Sequence, residues 1–129
     1  MVIDSSALLA ILLDEPERAQ FVEAIEQDSQ RFVSAVSVLE SSIVLEARGG
    51  VDSVDDLDQL LGRIGAEVRS FAGDDLSGAR RAFRSYGKGR HPAGLNFGDC
   101  IAYALAKSTR HPLLFKGDDF ARTDIDSAV

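Results

Sequence analysis

Four acidic positions in this chain fall where a carboxylate can do chemistry: Asp4, Glu40, Asp99, and one of the neighbours Asp118 and Asp119. Asp4 follows the apolar start Met1-Val2-Ile3 and precedes Ser5-Ser6 and an apolar run over residues 7–13, the pattern of a short strand entering a helix through a polar cap. Asp118 and Asp119 follow an apolar stretch over 113–115 and Gly117, a second strand-to-helix turn. Alone, each is also an ordinary cap or turn residue. Asp99 lies in the first turn of the most apolar helix, three residues after the cap Asn96, with Ala102, Tyr103 and Ala106 on its side. A first-turn acid is also favoured simply by the helix dipole. Glu40, at about 100° per residue, falls between Val36, Ile43 and Ala47 on the stripe expected to meet the core. It also completes Ser37-Val38-Leu39-Glu40, a capping box that would turn it back onto its own helix start. On local grounds both readings of Glu40 stand.

The elements that carry these acids decide whether they meet. Strands are expected over residues 1–4, 31–35, 67–71 and 113–115, and helices over 7–13, 15–28, 37–48, 54–64, 74–86 and 97–108. Residues 87–95, with Gly87, Gly89, Pro92 and Gly94, read as a loop of functional length. Strands alternating with helices imply one α/β domain over residues 1–129: a parallel sheet of about four to five short strands with helices on both faces. Ligands of such sheets gather outside the carboxyl ends of the strands, so Asp4 and the Asp118-Asp119 pair share an edge despite their separation. Like charges brought together there raise one another's pKa unless a cation joins them. Mg²⁺ suits such a cluster, being hard, oxygen-seeking and content with one or two carboxylates completed by water and phosphate. Other chemistries lack their residues. His91 and His111 precede prolines with no second ligand at zinc spacing, Ser5 and Ser6 lack a histidine for a triad, and no phosphate-binding glycine motif occurs. The single Cys100, inside an apolar stretch, reads as a small buried side chain.

Composition sets the outer bounds. The chain has 129 residues, 45% hydrophobic and 27% charged, with a formal net charge of −7, values of a folded globular domain. The longest apolar run, residues 7–13, is too short for a membrane span and wrongly flanked for a signal peptide, so the expected location is the cytoplasm, away from membranes. Acidity argues against a nucleic-acid partner unless the acids are neutralised where the substrate binds. The basic residues are also clustered: Arg80, Arg81, Arg84, Lys88, Arg90 and His91 fall within twelve positions. They form either a solvated helix face and loop or a strip that tracks a phosphate backbone.

Read together, Met1-Val2-Ile3-Asp4-Ser5-Ser6-Ala7-Leu8, Glu40 in Ser37-Val38-Leu39-Glu40, Leu95-Asn96-Phe97-Gly98-Asp99-Cys100 and Leu114-Phe115-Lys116-Gly117-Asp118-Asp119-Phe120 resemble the signature of PIN-domain ribonucleases of the VapC toxin type. The match spans the chain, and its Asn-Phe-Gly-Asp block is the most specific part. The resemblance implies a three-layer α/β sandwich and Mg²⁺-dependent cleavage of RNA, with Mn²⁺ as a possible substitute. It implies Asp4, Glu40 and Asp99 as metal-binding acids, and Ser6 as a polar residue beside Asp4. Asp118 is preferred as the fourth acid, because Asp119 beside Phe120 could cap the last helix. Asn96 and Asp119 are supporting residues, and Arg80, Arg81, Arg84, Lys88 and Arg90 are candidates for RNA contact. The resemblance also implies a cognate antitoxin, a homodimer, and arrest of translation. The apolar residues 7–13 and Leu45, opposite Glu40, would offer surface for a partner or be buried in the fold.

Two other classes are consistent with an acid-cornered α/β domain. A phosphotransfer or receiver domain would need a second Asp beside Asp4 or a mid-chain phosphoacceptor with a matching Lys, and neither stands out. A non-catalytic RNA- or antitoxin-binding module would bind without metal-dependent cleavage.

Overall fold

The computed structural model describes residues 1–129. In chain order the elements are β1 (Val2–Ile3), α1 (Ser5–Leu12), α2 (Arg18–Gln27), β2 (Phe32–Ser34), α3 (Ala35–Gly49), α4 (Asp52–Arg63), β3 (Glu67–Arg69), α5 (Leu76–Tyr86), α6 (Phe97–Thr109) and β4 (Leu113–Leu114). Tight 3₁₀ turns at Gly73–Asp75 and Phe120–Arg122 complete it. The four strands are parallel in the order β3-β2-β1-β4, with Val2 opposite Phe32 and Leu113, and Ile3 opposite Val33 and Leu114. A single bridge from Leu113 to Ser127 adds a rudimentary fifth position beyond β4, so the expected four to five strands are present.

Strands of two or three residues hold together because alternate side chains serve two separate cores. Ile3, Val33 and Leu114 pack with Leu8, Ile11, Phe21, Ile25, Leu45 and Leu57 from α1 to α4. Val2, Leu113 and Phe115 pack with Ala79, Ala82, Ala102, Tyr103 and Ala106 from α5 and α6. The chain steps outward from β1 through β2 to β3, then returns to the other side of β1 as β4. That reversal makes a switch point, and the crevice outside the carboxyl ends of β1 and β4 is where such sheets take ligands.

One helix face differs from the sequence expectation. The buried face of α3 is Ser37, Ser41 and Leu45, whereas Ile43 is 60% exposed and Ala47 is exposed. Glu40 therefore does not sit on a core stripe, and Leu45 is core. The reason is chemical: serine counts as polar in a hydropathy pattern, yet the Ser41 hydroxyl donates to the Ser37 carbonyl at 2.8 Å and can be buried cheaply against neighbouring helices. The Ser37–Glu40 capping box is also absent. Ser34 caps α3 instead, accepting the Val36 N–H at 3.1 Å, so the helix starts too early for Glu40 to reach its amino end.

Candidate active site

Asp4 stands at the carboxyl end of β1 and caps α1. Its Oδ2 accepts the Ser6 N–H at 3.0 Å and the Ser6 hydroxyl at 2.6 Å. The residue is 3% exposed, and its Oδ1 is buried without any hydrogen-bond partner. The carboxylate thus serves structure with one oxygen and leaves the other buried and unpaired. Burial raises its pKa above the ordinary carboxylate value; the Ser6 hydrogen bonds oppose that shift, and the nearby Glu40 charge adds to it.

Glu40 reaches the same edge from the second turn of α3. The Ser5 hydroxyl donates to its Oε2 at 2.8 Å, and the start of α6 leaves room for it only because residue 98 is glycine. A β-carbon on Gly98 would lie 2.8 Å from Glu40 Oε2, too close for the carboxylate to stay where it is, and 3.2 Å from its Cδ, a tight contact. Ser5 and Gly98 lie within the sequence motifs, but their contact with Glu40 is not legible there, because both act on a residue far away in the chain. A glycine in the first turn of a helix, where any residue would serve, was the available hint.

Asp99 opens α6 through a reciprocal cap: Asn96 Oδ1 accepts the Asp99 N–H at 2.9 Å, and Asp99 Oδ2 accepts the Asn96 N–H at 2.8 Å. Despite that hydrogen bond, its pKa is pushed up to about 6 by desolvation first, then by the charges of Asp4, Asp119 and Glu40. Those influences bring four carboxylates from four segments into one electrostatic neighbourhood.

The fourth segment is the turn after β4. Gly117 has φ +98°, a conformation that suits glycine in the turn before Asp118 and Asp119. Asp119 precedes the 3₁₀ turn at Phe120–Arg122, but its side chain makes no capping hydrogen bond, so the reason for preferring Asp118 is not met. Asp119 is the member of the pair whose charge acts on Asp99. The Lys116 N–H donates to Ser6 Oγ at 3.0 Å, coupling this turn to the Asp4 cap. The Lys116 ammonium faces away from the acids and pairs with Glu15 at 2.7 Å and Glu17 at 3.2 Å.

The carboxylates do not form a closed cage: no three His, Cys, Asp or Glu side chains come close enough to hold one metal ion among them. One oxygen each of Asp4, Glu40 and Asp99 is occupied by Ser6, Ser5 and Asn96 respectively. The donor set still fits Mg²⁺, which takes one or two carboxylates and fills its shell with water and phosphate, and the buried unpaired Asp4 Oδ1 is a ready ligand.

The arginines and Lys88 of the basic stretch are exposed and His91 is half-buried, but together they do not form one strip. Arg80, Arg84 and Arg90 line a groove between α5 and α6, whereas Arg81 acts on Tyr103 from another side and Lys88 lies in the loop. That loop is tied at its ends, Lys88 N–H donating to the Leu95 carbonyl and Leu95 N–H to that of Tyr86. His91 Nδ1 accepts the Ala93 N–H at 3.1 Å, a turn-forming role. Burial, then the Asp99 charge, pushes the Cys100 thiol up to about 11, so it stays protonated and inert at neutral pH.

A parallel sheet whose carboxyl edge gathers carboxylates without a compensating side-chain cation defines an α/β domain with an acid-lined edge. The family model for the PIN domain matches residues 1–126, and the chain belongs to that family. It is 50% identical over 125 residues to Ribonuclease VapC30 of Mycobacterium tuberculosis, covering 97% of this chain and 95% of that protein. Ribonuclease VapC of Mycolicibacterium smegmatis is 49% identical over 125 residues, covering 97% of each. The crystal structure of Mycobacterium tuberculosis VapC20, described as a Sarcin-Ricin loop cleaving toxin, superposes with a TM-score of 0.79 over 96% of this chain and 95% of that one. At 12% identity that likeness establishes the shared fold. No helix is long and apolar enough to cross a membrane.

Proposed function

We propose that this protein is a divalent-metal-dependent endoribonuclease and the toxin of a toxin–antitoxin pair, acting on cytoplasmic RNA so as to stop translation. The observation that carries the reading is the buried Asp4 Oδ1, left without a partner among the like charges of Glu40, Asp99 and Asp119. The ribonuclease names of relatives about half identical over nearly the whole chain support it.

Asp4 and Asp99 would hold the ion, with Glu40 and the Asp118-Asp119 pair completing the site; the Asp119 charge at Asp99 favours Asp119. Bound there, Mg²⁺, or Mn²⁺ in its place, supplies a water acidified for in-line attack on a phosphodiester and neutralises charge on the phosphate. Ser6 fixes the Asp4 carboxylate through its N–H and hydroxyl, and Ser5 fixes that of Glu40, so neither acid must reorganise as substrate arrives. Asn96 holds Asp99 at the start of α6. No protein nucleophile is needed. The basic residues Arg80, Arg81, Arg84, Lys88 and Arg90 would hold phosphates outside the acid edge. A cognate antitoxin and a homodimer follow from the same reading, and the exposed Leu39 and Ile43 on α3 offer apolar surface for protein contact.

The test is cleavage of a structured RNA by wild type and by Asp99→Asn, each with Mg²⁺ and with EDTA. Cleavage confined to wild type with Mg²⁺ is expected. Equal cleavage by the variant would remove Asp99 from the catalytic set, and RNA binding with no metal-dependent cleavage by wild type would move the protein to the non-catalytic class.

A further inference from the structure

Between α5 and α6, beside the acid edge, lies an open groove of about 510 Å³, within the roughly 300–1,000 Å³ of small-ligand pockets. Phe71, Phe83 and Phe97 line it, Ala79, Cys100 and Ile101 contribute its buried or half-buried surface, and Arg80, Arg84 and Arg90 border it. No acidic side chain lines it, although the chain as a whole carries −7. Two of its three aromatic rings are exposed, Phe97 at 78% and Phe83 at 43%. Arg80 and Arg84 are one turn apart on α5 and share a face, while the Arg90 guanidinium from the following loop sits 5.3 Å from the centre of the Phe83 ring.

We propose that this groove binds a nucleobase of single-stranded RNA flanking the scissile phosphate, with Phe83 as its stacking face and Arg80, Arg84 and Arg90 holding the adjoining phosphates. The inference rests on the ribonuclease reading above and deepens it by naming the form of the substrate. Three considerations carry it. Positive rim and apolar, aromatic wall match a ligand that alternates anionic phosphates with flat apolar faces. A base paired in a duplex offers no free face, so the match is to an unstacked, single-stranded segment. Phe97 places the groove next to the chemistry: it is two residues from Asp99 on α6 and also lines the neighbouring hollow that contains Glu40. Two copies of the chain would bring these arginines against their own kind, which disfavours self-association through this groove.

The experiment measures binding of the full chain, in EDTA so that RNA stays intact, to a fluorescent octamer of adenylate and to a ribose-phosphate strand of equal length lacking bases. Phe83→Ala is expected to weaken binding of the adenylate strand about five- to 150-fold and to leave the abasic strand unchanged. Phe83→Trp keeps an aromatic face and should restore wild-type affinity, which also separates stacking from a folding defect. Arg84→Gln should weaken both strands and lower the salt dependence by about one ion. Equal loss on both strands for Phe83→Ala, or no loss on either, overturns the base pocket. So does a change in sedimentation with RNA affinity intact, which would assign the groove to a protein partner. If wild type cuts RNA in Mg²⁺ while Phe83→Ala behaves as wild type in every assay, the groove assignment alone fails. If wild type does not cut RNA, the ribonuclease reading fails first.

Discussion

Asp28 and Asp4 are carboxylates placed at opposite ends of β1, and the fold treats them in opposite ways. Asp28 accepts the Met1 ammonium at 2.5 Å through Oδ2 and the Gln30 N–H at 2.8 Å through Oδ1. Burial alone would raise its pKa, but those hydrogen bonds and the charges of the ammonium and His111 outweigh it and hold the group below its ordinary value. Asp124 is settled similarly by the Tyr103 hydroxyl and Lys107. At the carboxyl end, Asp4 and Asp99 are raised, and the Lys116 ammonium is committed to Glu15 and Glu17. The fold can neutralise an acid where structure alone is at stake. At the switch point it leaves a deficit of positive charge, which is what a site for a metal ion requires.

The contrast breaks most visibly through activity. Asp4→Asn and Asp99→Asn should each lower RNA cleavage by at least about 100-fold, beyond the roughly 10–100-fold typical of residues that only support a ligand. Each should leave metal-free stability unchanged or raised, because a like charge is lost; Asn at 99 can still accept the Asn96 N–H. Single-turnover cleavage and thermal melts in EDTA measure the two effects. A collapse of folding in Asp99→Asn would make that residue structural, like Asp28.

Gly98→Ala sharpens the comparison without removing any charge. The added methyl must displace Glu40, so cleavage and Mg²⁺ affinity should fall about 10–100-fold, as for loss of a supporting residue. Alanine favours a helix by up to about 1 kcal/mol over glycine, so stability should hold if Glu40 swings aside. Calorimetric Mg²⁺ titration beside a urea melt separates these outcomes. Asp28→Asn should do the reverse: destabilise by about 2 kcal/mol, the scale of a hydrogen bond to a charged group, while specific activity stays at wild type. Urea unfolding with parallel cleavage assays checks it.

The smallest effect is in pH dependence. Between the ordinary 3.8 and about 6, native Asp99 holds a proton that the unfolded chain has released, so this group subtracts stability as pH rises through that window, with its full cost in place above about 6. Asp28 and Asp124 have lowered values and act in the opposite sense, adding stability above 3.8 that is lost as pH falls. The melting temperature of Asp99→Asn minus that of wild type, in EDTA, should therefore grow from pH 4 to about pH 6.5 and then level off. Saturating Mg²⁺ at neutral pH should shrink it.

How much of this was legible in the sequence follows the range of the interactions. The strand ending at Asp4 and the Asn96–Asp99 start of α6 are local, set by neighbours within three residues, and the sequence pattern found both. The sheet followed from alternation of short apolar segments, although strand ends shifted by one or two residues. For Glu40 neither local reading of the sequence holds, since the expected core stripe is exposed, Ser37 and Ser41 supply the buried face, and Ser34 rather than Ser37 caps the helix; only the family resemblance singles it out. What lay beyond reach was contact between distant segments. Ser5 to Glu40 spans 35 positions and Lys116 to Ser6 spans 110, and neither Gly98 nor Asp119 declares its role until those segments meet.

If this acid edge hydrolyses RNA with water as the nucleophile, the ends of the cut RNA carry the signature of that attack. Fragments made by wild type in Mg²⁺ should carry 5′-phosphate and 3′-hydroxyl ends, and Asp99→Asn should yield none above background. Fragments ending in 2′,3′-cyclic phosphate would mean that the substrate's own 2′-hydroxyl attacks instead of water, and the same ends from both proteins would mean that Asp99 takes no part.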